Sequence, residues 1–105
     1  MELKIFWTEF SVKELEKIYE YYRKNASYRV AKLLIDGIYN ETQKLKRHPK
    51  IGQIEELLKD RKQEFRYLVF KNYKIIYWIN TQQNWIEIND VFDTRQNPIK
   101  ITRTK

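Results

Sequence analysis

The chain has 105 residues, no cysteine, a single histidine and a net charge of +7. That length holds one domain, 1–105, and the lack of cysteine excludes a disulfide framework and a thiolate site. No apolar run approaches the roughly 18 residues of a membrane span, and "MELKIFWTEF" lacks the layout of a signal peptide, so a cytoplasmic protein with no membrane contact is expected.

In "LKIFWT", Leu3, Ile5 and Trp7 alternate with Lys4, Phe6 and Thr8, the pattern of a strand. Ser11 and Glu14 have capping-box spacing and predict a helix start. Val12, Leu15, Ile18, Tyr19 and Tyr22 form one stripe on that helix, which should end near Asn25. Ser27 suits the N-cap of a second helix, whose stripe runs through Ala31, Leu34, Ile35, Ile38, Thr42 and Leu45. Gly37 inside it is unfavourable by about 1 kcal/mol against alanine and suggests a close approach, with the first helix as candidate neighbour. Pro49 and Gly52 end the helix and open a loop, and residues 53–63 hold at most one helical turn.

The character then changes. "FRYLVF", "NYKIIYWI" and "WIEINDV" are rich in aromatic and β-branched residues, and Lys71-Asn72 is short enough for a hairpin. In the middle run, Tyr73, Ile75, Tyr77 and Ile79 share one face, expected under the helices. Lys74, Ile76 and Trp78 share the other, with Lys74 and Trp78 as candidates for an exposed surface. The order β, α, α, β, β, β predicts an α+β domain. Two helices should pack on one face of a twisted three- to four-stranded antiparallel sheet.

Charge follows this division. Residues 1–43 are neutral overall, 44–74 carry +6, 75–94 carry −3, and 95–105 carry +4. The basic residues therefore fall on the sheet, its loops and the tail. The uncovered sheet face becomes the expected working surface, suited to a polyanion or an acidic protein. A merely solvated surface is the alternative.

The ordered segments resemble the RelE/ParE superfamily of toxins from bacterial type II toxin–antitoxin modules. The resemblance spans nearly the whole chain. It rests on the strand before "VKELEKIYEYY", the helix ending "LKRHPKIGQIEEL", the strands "FRYLV" and "NYKIIYWI", and the closing "IEINDVFDTRQNP". The Leu45/Pro49/Gly52 spacing, Arg66, the Tyr73–Tyr77 pair and Arg95 belong to the same set. It implies the fold order above and a cognate antitoxin, acidic and partly disordered, that covers the basic surface. It also implies a target. In the ParE-like branch this is DNA gyrase or another protein. In the RelE-like branch it is mRNA on the ribosome, and the chain would be an endoribonuclease. A non-toxic nucleic-acid-binding or adaptor module is the reading left by charge alone.

Arg66, Lys74 and Arg95 are the candidate site residues, expected to converge on one edge or face of the sheet. Guanidinium groups meet phosphate in a two-pronged way and lysine adds a point charge, so such a cluster would grip a backbone or stabilise transition-state charge. The alternative is that each pairs with a nearby acid, Glu64, Glu87 or Asp93. Arg95 ends the last strand in "DTR", with Asp93 placed to orient it and Asn97-Pro98 turning the chain away. The RNA-cleaving branch commonly supplies a His or Tyr from this segment, and "VFDTRQNPIKITRTK" has neither, which favours the ParE-like reading. His48, in "KRHPK", reads as a helix-end cation. With one histidine, no cysteine and two glycines, neither a zinc site nor a phosphate loop is expected, and no cofactor.

Overall fold

The computed structural model describes residues 2–104. The first strand, β1 (Lys4–Trp7), leads directly into α1 (Glu9–Asn25). The N-cap falls three residues before the expected Ser11. The Thr8 hydroxyl accepts from the Ser11 N–H at 3.2 Å and is the N-cap. Thr8 is already fixed in place, because its N–H donates to the Ile88 carbonyl of the sheet. Ser11 and Glu14 are buried within the helix and do not form a capping box. Leu15, Ile18 and Tyr22 face the core, whereas Val12 at the stripe's edge is exposed.

The second helix, α2 (Tyr28–Gln43), begins at Ser27, whose hydroxyl accepts from the Val30 N–H at 3.1 Å. Ala31, Leu34, Ile38 and Thr42 are buried, and a 3-10 turn, Lys44–Lys46, carries Leu45 into the same core. The close neighbour of Gly37 is the Phe70 ring, not α1: a Cβ there would lie 2.2 Å from a ring carbon. Gly37 thus sets how closely α2 lies on the sheet.

Four further strands follow: β2 (Gln53–Ile54), β3 (Arg66–Phe70), β4 (Tyr73–Asn80) and β5 (Trp85–Asp93). The expected hairpin joins β3 to β4 with Phe70 opposite Tyr73, and Lys71 takes the left-handed φ of 53° that the tight reversal needs. The sheet has five strands in the order β1-β5-β4-β3-β2, and β1 runs parallel to β5. The expected sheet of three or four purely antiparallel strands is corrected accordingly. The parallel pair needs no tight turn, because both helices and strands β2 to β4 lie between β1 and β5 in the chain. The two-residue β2 is too short to show any alternation.

Both helices cover one face. Tyr73, Ile75 and Tyr77 are buried there beneath Leu34 and Ile38, as alternation predicts. The other face is not simply open. Ile76 is fully buried with Phe92, Phe65, Leu58 and Ile101. The cover comes from a 3-10 turn, Glu56–Leu58, and a 3-10 helix, Pro98–Arg103. Pro98 therefore turns the tail back onto the sheet, not away from it.

One irregularity positions much of this. Ile76 pairs with Asp90 and Tyr77 with Ile88, so Asn89 is an extra residue in β5, a β-bulge. The bulge shifts the alternation by one. Val91 thereby joins the helix-side core, while Asp90 and Phe92 turn toward the tail. Among the described residues no helix is long and apolar enough to cross a membrane.

Candidate functional site

The three sequence-expected cations do not converge. Arg66 stands opposite Tyr77 on the helix-covered face. Lys74 stands between Val69 and Phe92 on the opposite face. Arg95 lies beyond the end of β5, near the Tyr73–Asp93 pair. Tyr77 lies four residue steps along β4 from Tyr73, about 13 Å at ~3.3 Å per residue.

Each cation is also engaged internally. Arg66 donates to the Gly52 carbonyl at 2.9 Å and pairs with Glu64 at 2.9 Å. Lys74 pairs with Glu55 at 2.8 Å and lies 4.2 Å from the centre of the Tyr67 ring. Glu55 is only 3% exposed, so drawing Lys74 onto a phosphate would strand a buried carboxylate. Arg95 pairs with Asp93 at 2.8 Å. The sequence suggested Glu64 and Asp93 as partners but gave no sign of Glu55, which lies in the stretch without periodicity.

Arg66 serves the loop between Pro49 and Gly52. The Tyr77 hydroxyl donates to the Pro49 carbonyl at 2.7 Å and accepts from the Gly52 N–H at 2.9 Å, while Arg66 holds the Gly52 carbonyl. A Cβ at Gly52 would lie 2.6 Å from the Tyr77 oxygen and 2.7 Å from the Tyr67 carbonyl oxygen. Backbone cannot yield as a side-chain tip can. Gly52→Ala is therefore expected to destabilise the domain by about 2 kcal/mol, read as a lower urea midpoint at unchanged m-value.

The tail is held by contacts that the sequence did not suggest. The Arg61 guanidinium donates to the Thr102 and Thr104 carbonyls, both at 2.6 Å. Arg103 reaches Asp90 at 3.0 Å and Glu14 at 3.0 Å, and the Thr104 hydroxyl donates to Asp90 at 2.9 Å. Burial pushes the Asp90 carboxyl above its usual value, with Arg103 and Thr104 opposing the shift. Part of the tail's positive charge is thus spent inside the fold.

A mixed-charge cleft of ≈ 290 Å³ remains between α1 and the end of β5. Lys17, Tyr21, Tyr73, Arg95 and Arg103 line it. Lys17 and Arg95 are the accessible cations here, their side chains 74% and 61% exposed, and Arg95 is the one at a strand end. Asp93 orients it through the Nε and NH2 groups and also accepts from the Arg95 backbone N–H.

A family model described as the ParE toxin of the type II toxin–antitoxin system, parDE, matches residues 5–98. The chain belongs to the ParE toxin family. It is the toxin component of a type II system, and a toxin of this family has a cognate antitoxin as partner. A solved chain from a chromosomal ParDE toxin–antitoxin system of P. aeruginosa has the same fold, with a TM-score of 0.72 at 15% identity; the match covers 88% of this chain and 96% of that one. Among curated proteins none matches.

In this ParE toxin the cleft suits binding better than proton transfer. The Arg95 side chain holds the Asp93 carboxyl down at about 2, helped by the Arg95 N–H and Asn72 against the opposing effect of burial. Burial and the Tyr22 hydroxyl push the Tyr73 phenol up. Neither group titrates near neutrality, where a general acid or base is most effective. His48 is exposed in the loop after α2, away from the cleft's lining. Among the described residues no group of His, Asp or Glu is placed to hold a metal ion.

Ionised Asp93 stabilises the fold above its usual value of 3.8, and that contribution is lost as pH falls toward about 2. The stability difference between the ParE toxin and Asp93→Asn should therefore shrink on acidification from about pH 4 to pH 2. Unfolding curves at stepped pH read it directly; a constant difference would show the pair contributing nothing.

Proposed function

We propose that this ParE-family toxin arrests growth by binding a protein target, DNA gyrase being the target that the resemblance implies, and that Arg95 in the α1–β5 cleft makes the decisive contact. The observation that carries this reading is the dispersal of Arg66, Lys74 and Arg95. An RNA-cleaving site needs cations and a proton-transfer pair focused on one phosphate. Here each cation has its own carboxylate, on three different parts of the surface. A protein contact needs no such focus. It needs an accessible anchor at a rigid position, which a strand end supplies.

The antitoxin is expected to be acidic, partly disordered in isolation, and laid over the basic sheet face or its edge. Electrostatic steering would then speed its association and make the rate fall with salt. Co-expression with the neighbouring gene product, followed by pull-down, tests the pairing.

The target is tested by induced expression without the antitoxin in a bacterial host. Expected are growth arrest, DNA breaks, and inhibition of supercoiling by purified gyrase mixed with purified toxin. Ribosome-dependent cuts in mRNA with gyrase unaffected would replace this reading with the RelE-like one. Full growth and an inert protein would leave an adaptor or nucleic-acid-binding module.

A further inference from the structure

Six carboxylates among the described residues are buried or half-buried: Glu14, Glu41, Glu55, Glu87, Asp90 and Asp93. Five pair with a lysine or arginine. Glu87 makes no ion pair among the described residues, although the chain carries 21 lysines and arginines. Its neighbours are aromatic. The Trp78 indole N–H donates to one carboxylate oxygen at 2.9 Å, and the Trp85 indole N–H donates to the other at 3.2 Å. The Asn89 amide donates at 3.0 Å. Phe6, opposite Glu87 in the β1–β5 ladder, stacks on Trp85 with ring centres 4.7 Å apart.

The group is ionised at neutral pH. Burial pushes its carboxyl up, but the donors from Trp78, Asn89, Trp85 and Asn80 together hold it below the usual value. A half-buried negative charge is thus framed by three aromatic rings toward the β1 edge of the sheet, beside the cluster around Ile101 against which Trp78 packs. Phe6 is 42% exposed. Lys4, opposite Trp85 on this face, forms no ion pair with Glu87.

We propose that Glu87, Trp78, Trp85 and Phe6 form a receptor for a cationic side chain, specifically an arginine of a partner polypeptide. Opposite charge and ring faces attract a guanidinium from two directions. Both carboxylate oxygens already accept hydrogen bonds, so recognition rests on stacking over Phe6 and Trp85 beside an uncompensated charge. That favours the planar, weakly hydrated guanidinium over an ammonium. The site has the opposite polarity to the basic surface proposed for the antitoxin's acidic residues. It is independent of the gyrase reading, since it would take arginine whatever the partner does.

The probe is N-acetyl-arginine amide, added to the purified toxin while tryptophan emission is followed. A Trp7→Phe background removes the indole on the core face. A saturable change is expected with the arginine amide, and binding weaker by about fivefold or more with the neutral N-acetyl-citrulline amide. Glu87→Gln should lose the response. Phe6→Ala, at an exposed position, should also lose it and serves where Glu87→Gln fails to fold. No saturable change in the parent, equal binding of citrulline amide, or an undiminished response in a folded variant would each overturn the proposal.

Discussion

Replacing Arg103 with alanine is expected to lower stability by about 3 kcal/mol, a fall of roughly 10–20 °C in melting temperature for a domain of this size. Arg103 joins three elements. It bridges Asp90 on β5 and Glu14 on α1 from the tail helix, and its guanidinium lies 5.5 Å from the Phe10 ring and 5.4 Å from the Phe92 ring. Asp90 is fully buried and Glu14 nearly so. Without Arg103, Asp90 keeps the Thr104 hydroxyl as a donor and no cation among the described residues, while Glu14 keeps Lys17. An uncompensated buried charge is the expensive outcome; the 31% exposure of the Arg103 side chain keeps the cost at the lower end of the range for buried pairs.

A carboxyl whose folded value is raised binds protons more tightly folded than unfolded, so its penalty is absent below about pH 4 and grows as pH rises. The deficit of Arg103→Ala should be largest at neutral pH and smaller in acid. Adding Asp90→Asn should recover part of it. Urea unfolding at two pH values measures both, and a pH-independent deficit would mean that lost packing on Phe10 and Phe92, not charge, is the cause.

The second large effect is expected on toxicity. Arg95→Ala should abolish growth inhibition while leaving the protein folded, because the Arg95 side chain is largely exposed and Asp93 keeps the Asn72 amide as a donor. A central arginine anchor typically costs 2 kcal/mol or more on truncation, about 30-fold in affinity. Arg95→Lys keeps the charge but loses the planar fork and should fall between the two. Arg66→Ala should act differently, by loosening the loop between Pro49 and Gly52, and its loss of toxicity should track its loss of stability. A folded Arg95→Ala toxin that still arrests growth would remove the cleft from the proposed contact.

Much of the fold was legible because hydrophobic periodicity is a local signal. The alternation in "NYKIIYWI" assigned Tyr73, Ile75 and Tyr77 to the helix-side core, and the 3.6-residue stripe of Ala31, Leu34 and Ile38 assigned the buried face of α2. The candidate site was less legible. Arg66, Lys74 and Arg95 could be named as cations on strands, but one residue's change of parity reverses the face. Arg66 and Lys74 accordingly lie on opposite sides.

Sequence alone determined the two long helices, the four longer strands, their order and most of the stripe that each turns inward, since those depend on neighbours two to four residues away. Tertiary structure alone decided the rest. Nothing local in "LKIFWT" specifies β5 as its parallel partner. Simple alternation through "WIEINDVFD" would have sent Asp90 into the helix-side core; the bulge at Asn89, fixed by pairing with β4, sends it to the tail. The pairs Lys74–Glu55, Arg61–Thr104 and Arg103–Glu14 join residues far apart in the chain. A charge carries no period in the sequence, so where it is neutralised depends on which backbones the packed core brings within hydrogen-bond reach.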